Sequence, residues 1–420
     1  MTKDKFAIIG AGFGGLGVAA AFTRHHIPFD VFEADDDLGG NWYHGVYETV
    51  HIISSRKTTE YSDFPMPASY PDFPSARQML DYLRAYADHH ALRPHIAFNT
   101  RVEHVAAAPD ERWQVTLGNG EQRLYKGVVI AIGHHWDCRL PDYPGQFSGQ
   151  MIHSKQYRAH DILDGKRLLV IGGGNSACDI AVEGARFAQE SHISLRRGYW
   201  FLPKTLFGRP TVEFMQPWLP VPAQRLILRA LLRIVVGPYT EYGLPEPDHK
   251  LFEHHPTVNS ELLYYLKHGR ITPHPDIRCF DGDVVEFVDG VRRPFDLIVA
   301  ATGYHLSVPF LEPGLIDIRR DVPQLIEGIF SPHYKHLYLF GSQQPRYGAG
   351  PLISAGAETL AQFALVQDQL THPVGEVLAR LGRKPPASMI TDPFAALRGA
   401  RLGQKLAPQL PRLERLLFHS

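Results

Sequence analysis

The chain has 420 residues, of which 44% are hydrophobic and 21% charged, with a formal net charge of −1; this is the make-up of a globular protein with more than one core. Balanced charge without a long basic block argues against a nucleic-acid partner. Cys138, Cys178 and Cys279 are too few and too scattered for a disulfide framework or a dithiol redox centre, and they fit a reducing, cytoplasmic setting.

The first residues, Met1-Thr2-Lys3-Asp4-Lys5, carry no signal-peptide pattern. The apolar run Phe6-Ala7-Ile8-Ile9 then leads directly into Gly10-Ala11-Gly12-Phe13-Gly14-Gly15. The run predicts a buried parallel strand, and the alanine-rich stretch from Val18 to Thr23 predicts a helix after it. Strand, glycine turn and helix in that order place bare amides and a helix N-terminus where a pyrophosphate binds. A second apolar run, Phe29-Asp30-Val31-Phe32, delivers Glu33. A carboxylate at this strand tip accepts hydrogen bonds from free ribose hydroxyls, as in FAD or NAD. Glu33 also opens the acidic run to Asp37, but its place directly after the strand favours the ribose role.

Further along, Val128-Val129-Ile130-Ala131-Ile132-Gly133 reads as another buried strand ending at a glycine. Pro141, Pro144 and Gly145 mark a hinge. A second fingerprint follows at Leu168-Leu169-Val170-Ile171-Gly172-Gly173-Gly174-Asn175-Ser176-Ala177, with a helical segment from Ala177 to Gln189. Its next strand, Ile193-Ser194-Leu195, delivers Arg196 and Arg197, and an arginine at that tip pairs with the 2′-phosphate of NADP. Residues 199–260 are rich in aromatics and proline and predict a helical insertion beside the substrate. Within it Arg225, Arg229 and Arg233 form a basic stripe on an otherwise apolar helix. A domain-packing helix with a solvated basic edge is the preferred reading; an interfacial helix on a membrane surface is the alternative.

Leu297-Ile298-Val299-Ala300-Ala301-Thr302-Gly303-Tyr304 repeats the strand-to-glycine pattern, and Pro385-Pro386 precedes an arginine- and leucine-bearing tail expected to be helical or partly ordered. No run of about 18 apolar residues exists to span a membrane. The histidine doublets lack zinc-like spacing, so no metal site is expected. The fold class expected is α/β, with two Rossmann-like dinucleotide-binding domains. The NADPH domain (160–292) is inserted into a discontinuous FAD domain (1–159 and 293–420). A homodimer is compatible with this composition.

Phe147-Ser148-Gly149-Gln150-Met151-Ile152-His153-Ser154-Lys155-Gln156-Tyr157 matches F-x-G-x-x-x-H-x-x-x-Y, and here the chain resembles the flavin-containing monooxygenases. Gly39-Gly40-Asn41-Trp42, Tyr61-Ser62-Asp63-Phe64-Pro65-Met66-Pro67, Gly174-Asn175-Ser176, His255-Pro256-Thr257-Val258-Asn259 and Ala301-Thr302-Gly303-Tyr304 agree with it. The resemblance implies FAD and NADPH as cofactors, held by Gly10, Gly12, Phe13, Gly14, Gly15, Glu33, Gly40, Asn41, Trp42, Gly172, Gly174, Asn175, Ser176, Arg196, Arg197, Thr302 and Gly303. It also implies the family cycle: NADPH reduces FAD, NADP stays bound, and O2 adds at flavin C4a to give a hydroperoxide. A small-molecule soft nucleophile, an amine nitrogen or sulfur, takes the distal oxygen. The chemistry belongs to the cofactor, while the protein orients the ring and excludes water. The signature segment is given a structural role.

One position departs from the family. An asparagine usually stands in the loop before the D-F-P segment, at the place of Ile53, and isoleucine cannot donate a hydrogen bond. Ser54 or a backbone amide substitutes, oxygen activation differs, or the alignment shifts by a residue or two. Three rival readings remain. A Baeyer–Villiger monooxygenase acting on ketones usually carries tryptophan where this chain has Tyr157. A disulfide reductase would need a C-x-x-C. A non-catalytic flavin-bound sensor or scaffold would have little use for two intact nucleotide sites.

Overall fold

Phe6–Ile9 forms the central strand of a five-stranded sheet in the computed structural model, which describes residues 2–418. The strand order is Leu337–Leu339, Gly127–Ile130, Phe6–Ile9, Phe29–Phe32 and Ile96–Ala97, every pair parallel. All four residues of Phe6–Ile9 are buried. A parallel sheet covered on both faces calls for such an unbroken apolar run. Helix Phe13–Arg24 follows the first strand and packs against helix Gly350–Gln367. The antiparallel strands Val102–Ala108, Arg112–Leu117 and Gln122–Tyr125 form a separate small sheet. There burial alternates along Arg112–Leu117, and Trp113, Val115 and Leu117 enter the core.

A second compact unit comprises Val46–Ser55 and Trp136–His305, and the first comprises Met1–Gly45, Arg56–His135 and Leu306–Ser420. The second unit has its own five-stranded parallel sheet, ordered Gln150–His153, Leu297–Ala300, Arg167–Ile171, Glu190–Ser194 and Thr272–His274. Helix Asn175–Phe187 buries Ala177, Cys178, Ile180, Ala181 and Val182 in the core on one side. The two sheets share one plan apart from one edge strand. In the first unit that edge comes from late in the chain, at Leu337–Leu339. In the second it is Gln150–His153, which precedes the fingerprint strand.

This division is wider than the predicted 160–292 insertion. Leu297–Ala300 bonds along the whole of Leu168–Ile171, and Gln150–His153 bonds to Leu297–Ala300 in turn. Ladder pairing therefore carries residues 136–159 and 293–305 into the second unit, with Thr302 and Gly303 among them. The expected helical insertion at 199–260 holds one long helix, Val221–Val235. Short strands surround it, including Phe201–Leu202 paired with Thr257–Val258. The tail is helical at Pro393–Leu406 and Leu410–Phe418; Met1 and the last two predicted tail residues lie outside the described ones. Among the described residues, no helix is long and apolar enough to cross a membrane.

Candidate functional site

The two glycine turns are built by the same hydrogen bonds. Gly10 N donates to Phe32 O at 2.8 Å, and Ala131 N donates to Ile9 O at 2.9 Å. In the second unit Gly172 N donates to Ser194 O at 3.0 Å, and Ala301 N to Ile171 O at 2.9 Å. Gly10 sits at φ +102° and Gly172 at φ +124°. A Cβ on Gly10 would lie 2.8 Å from Ala131 O, and one on Gly172 would collide with Ala301 O. Glycine is required at both by backbone angle and by space. The third positions differ. A Cβ on Gly15 would strike Gly10 O, whereas Ala177 keeps its methyl group buried in the core.

Helices Phe13–Arg24 and Asn175–Phe187 begin at Gly12 and Gly174, neither capped by a side chain nor opened by an acid in the first turn. Their leading amides and positive dipole ends are thus kept for an anion. A Cβ built on Gly174 meets nothing within 4 Å, so the second turn is an open cradle. Gly40, before the short helix Asn41–His44 that carries Trp42, approaches Gly12 so closely that its Cβ would lie 3.1 Å from Gly12 Cα. Gly39 N donates to Ala11 O at 3.0 Å. The Phe13 ring is 4.5 Å from that of Tyr61, whose hydroxyl donates to Phe13 O at 2.6 Å.

Glu33 is buried at the strand tip. Its Oε2 accepts from Ala11 N at 2.7 Å and its Oε1 from Asp35 N at 3.1 Å. Burial raises its carboxyl above the ordinary value, while the bonds from Asp35 and Ala11 oppose that rise. Each oxygen has a lone pair to spare, so the group can still receive ribose hydroxyls. In the other unit Leu195 N donates to His274 O at 3.0 Å, as Glu33 N donates to Ala97 O at 3.0 Å. The residue in register with Glu33 is therefore the buried Leu195, with the arginines just after it. Arg196 is exposed. Arg197 lies with Nη1 3.3 Å from His254 Nε2 and its guanidinium 5.4 Å from the Tyr199 ring centre. Its Nε is buried without a hydrogen-bond partner. Burial, then Arg197, lowers the His254 pKa, so a neutral imidazole faces the cation.

The signature segment is an edge strand with two anchors. His153 Nε2 lies 3.0 Å from Gly303 O, and Tyr157 donates to Glu183 on the fingerprint helix. Gly303 O also accepts from Arg139 N at 3.0 Å, and Thr302 donates its hydroxyl to Arg139 O. Asn175 spends its side-chain oxygen on Val258 N at 2.8 Å, and Thr257 donates to Gly173 O at 2.7 Å. This brings the predicted Asn175 to the 257–259 segment. Ile53 and Ser54 form a bend in Val46–Ser55, which belongs to the second unit. That segment is fastened by Tyr47 to Asp179, by Thr49 to Glu183 and by Glu48 N to Arg158 O. Sequence reasoning passed over Tyr47, Thr49, Asp179 and Glu183. The signal was present as two acids four residues apart on a helix otherwise destined for the core.

A family model described as flavin-binding monooxygenase-like matches residues 3–349. Human flavin-containing monooxygenase 5 is 31% identical over 379 residues, covering 82% of this chain and 70% of the relative. Dimethylaniline monooxygenase (N-oxide-forming) 2 of Macaca mulatta is 33% identical over 364 residues, covering 78% and 67%. Among solved structures, the flavin-containing monooxygenase from Stenotrophomonas maltophilia matches with TM-score 0.67 and 22% identity over 87% of this chain and 99% of that one. Closed cyclohexanone monooxygenase matches with TM-score 0.74 and 18% identity over 98% and 99%. With two matched nucleotide folds on one chain, this protein belongs to the flavin-binding monooxygenase-like family and is an FAD-dependent oxidoreductase that uses NADPH and O2.

Proposed function

We propose that the first unit holds FAD, the second holds NADPH, and the enzyme oxygenates an amine nitrogen or a sulfur. The observation that carries the assignment is the contrast between two strand tips built by matching hydrogen bonds. One ends in the buried carboxylate of Glu33, and the other in Leu195 followed by Arg196 and Arg197. In this reading Gly10, Gly12, Gly14 and Gly15, with Gly40 and Asn41, face the FAD pyrophosphate. The open turn at Gly172 and Gly174 faces that of NADPH. Arg197, with an unpaired buried Nε, and Arg196 hold the 2′-phosphate. Gly303 and Thr302 border the nicotinamide side of the second turn.

Bound flavin supplies the oxygen-activating chemistry. The chain's own work is to bind, orient and exclude water. One turnover consumes NADPH, a proton, O2 and the substrate, and yields NADP, water and the N-oxide or S-oxide. The relatives include one named for N-oxide formation, and a solved neighbour is S-allyl-L-cysteine S-oxygenase from Allium sativum. A cytoplasmic site of action is part of the proposal.

The competing outcome is insertion beside a ketone, since cyclohexanone monooxygenase shares the fold. Incubating the purified holoenzyme with NADPH, O2 and a panel of amines, sulfides and ketones separates the readings by product. N- or S-oxides support the proposal, and esters alone support the Baeyer–Villiger reading. A flavin-bound protein that oxidises no NADPH under any condition would be a sensor or scaffold.

A further inference from the structure

The arginine-bearing loop after strand Glu190–Ser194 is tied to a distant stretch of the same unit, residues 246–254. A Cβ on Gly198 would collide with Glu246 O, and Trp200 Nε1 donates to His249 O at 2.9 Å. Tyr199 lies against the second glycine turn, where a Cβ on Gly173 would strike its ring. Arg197 stands between the two. Its guanidinium is 5.4 Å from the Tyr199 ring centre, and its Nη1 is 3.3 Å from His254 Nε2. His254 is exposed, so it is open to a ligand arriving from solution.

The contact between Arg197 and His254 fixes a protonation state. A guanidinium has donors only, so His254 Nε2 must accept and the imidazole must be neutral. The surroundings agree. Partial burial, then Arg197 and His249, push the His254 pKa below its usual value, against an opposing pull from Glu253 and Asp248. The acids of this stretch are engaged elsewhere. Asp248 Oδ1 lies 3.1 Å from His249 Nδ1, Glu253 Oε2 accepts from Lys250 N at 2.9 Å, and Glu246 Oε1 accepts from Tyr239 N at 2.6 Å. His255 turns its Nδ1 to Pro256 O at 3.0 Å, and Lys250 is exposed. Arg197 is thus the charge in direct contact with His254. An anion that pairs with Arg197 removes both the repulsion and the hydrogen that His254 had accepted. An imidazole beside a phosphate dianion is then stabilised in its charged form.

We propose that His254 joins Arg196 and Arg197 in binding the 2′-phosphate of NADPH, and that it takes up a proton as the nucleotide binds. The proposal rests on the reading of the two arginines as 2′-phosphate ligands. The proton comes from solvent and lands on Nε2. Arg197 gives up its bond to the imidazole, and both side chains donate to phosphate oxygens. Charge-assisted bonds to phosphate replace a contact between two nitrogens. A nucleotide lacking this phosphate leaves the arginine charge in place and His254 neutral. The histidine therefore separates NADPH from NADH by a proton as well as by a contact. Its pKa is lower in the free protein than in the complex, so nucleotide binding tightens as pH falls from the bound value towards the free one.

The test is calorimetric titration of the full-length, FAD-bound protein with NADP in two buffers of different ionisation enthalpy. It counts the protons taken up per nucleotide from about pH 6.5 to about pH 8. The 2′-phosphate has a second pKa of about 6, so it is a dianion over most of this range, and any proton it sheds is common to parent and variants. The parent is expected to take up a growing fraction of a proton as pH falls, with NADP affinity rising by up to about tenfold per pH unit. His254→Gln should show neither the uptake nor the pH dependence. His254→Lys, a cation throughout, should bind NADP tightly without uptake. Equal uptake in the parent and in His254→Gln overturns the role of His254. So does a parent that takes up no proton while Arg197→Ala weakens NADP binding, a result that leaves the arginine assignment standing. Arg197→Ala binding NADP as tightly as the parent overturns the 2′-phosphate reading and this proposal with it.

Discussion

The Tyr47 hydroxyl donates to Asp179 Oδ2 at 2.8 Å, while Asn259 Nδ2 holds Asp179 Oδ1 at 2.9 Å. One turn along the same helix, Glu183 receives Tyr157 and Thr49. All four oxygens of two neighbouring acids are thus taken by donors from three separate segments. Burial raises the Asp179 carboxyl, opposed by the Tyr47 bond and by His51 and Lys204 nearby. This arrangement explains why the last residue of the signature segment is a tyrosine with a hydroxyl.

Removing that hydroxyl should therefore cost stability out of proportion to its size. Tyr157→Phe leaves one Glu183 oxygen without its donor in a buried setting, worth about 1–3 kcal/mol. Equilibrium denaturation of the holoenzyme reads it. Combined with Thr49→Val, the loss should be non-additive, because both donors serve one carboxylate. A Tyr157→Phe variant as stable as the parent would show that the bond is idle.

Glu33 should govern flavin retention with a pH dependence of its own. Burial lifts its carboxyl above the usual range, so protonation begins at higher pH than for a solvated glutamate. Acidification should weaken flavin binding progressively as the pH falls through that raised range. Glu33→Gln keeps one acceptor but turns an amide group toward a backbone N–H. It should weaken FAD binding about five- to a hundredfold, as expected for about 1–3 kcal/mol. Fluorescence of released flavin measures both effects; a variant with full flavin and the parental pH profile would dismiss the assignment.

Cofactor preference should reside in Arg196 and Arg197 unequally. Arg197 is positioned by His254 and Tyr199, whereas Arg196 is exposed. A charge-assisted bond to phosphate is worth about 1.5–3 kcal/mol, or roughly ten- to a hundredfold in KM for NADPH. Arg197→Ala should lie toward the larger end and Arg196→Ala toward the smaller, with KM for NADH little changed in either. Equal losses with both nucleotides would remove the role.

A buried histidine pair should make the second unit sensitive to acid. His192 Nδ1 lies 2.9 Å from His274 Nε2, and His274 stacks on Phe287 with ring centres 4.1 Å apart. Burial first, then His192, pushes His274 down to about 4 from 6.5. The unfolded chain takes up that proton near pH 6.5 and the folded one only near 4, so stability falls as pH drops through this window. The loss is on the order of 2 kcal/mol, allowing for partial solvent access. His274→Phe should flatten the slope of unfolding free energy between those pH values, whatever it does at neutrality. An unchanged slope would place the acid sensitivity elsewhere.

The nucleotide turns were legible because their causes are local. A four-residue apolar strand, a glycine with no room for Cβ and an uncapped helix start all lie within one stretch of chain. The place of Glu33 at the strand tip could be read for the same reason. The edge strand Gln150–His153 could not, because nothing within it says that it will pair with Leu297–Ala300. The attachment of Val46–Ser55 to the second unit was likewise hidden. It rests on Tyr47 and Thr49 meeting acids far along the chain. Helix Val221–Val235 buries only Gln224, Leu228 and Leu232, because the helical period reports an apolar side without saying how much of it the core can receive.

Ile53 offers the most discriminating substitution. It stands in a bend whose N-terminal side is fastened to the second unit through Tyr47 and Thr49, and helix Arg56–Thr59 follows at once. The backbone before the bend is fastened within its own unit, so a new side chain at position 53 should not detach the segment. The family resemblance implies an amide at this point, and isoleucine offers no donor. One polar donor is worth about 1–3 kcal/mol, or roughly five- to a hundredfold in a rate it controls. Ile53→Asn is therefore expected to lower the hydrogen peroxide released per NADPH oxidised, with KM for NADPH unchanged. Ile53→Leu, with the same lack of a donor, should leave the peroxide yield at the parental level. The measurement is peroxide against NADPH consumption, first without substrate and then with a substrate identified from the panel. If Ile53→Asn folds, keeps both cofactors and leaks as much peroxide as the parent, position 53 does not face the reacting oxygen, and another donor of this chain does that work.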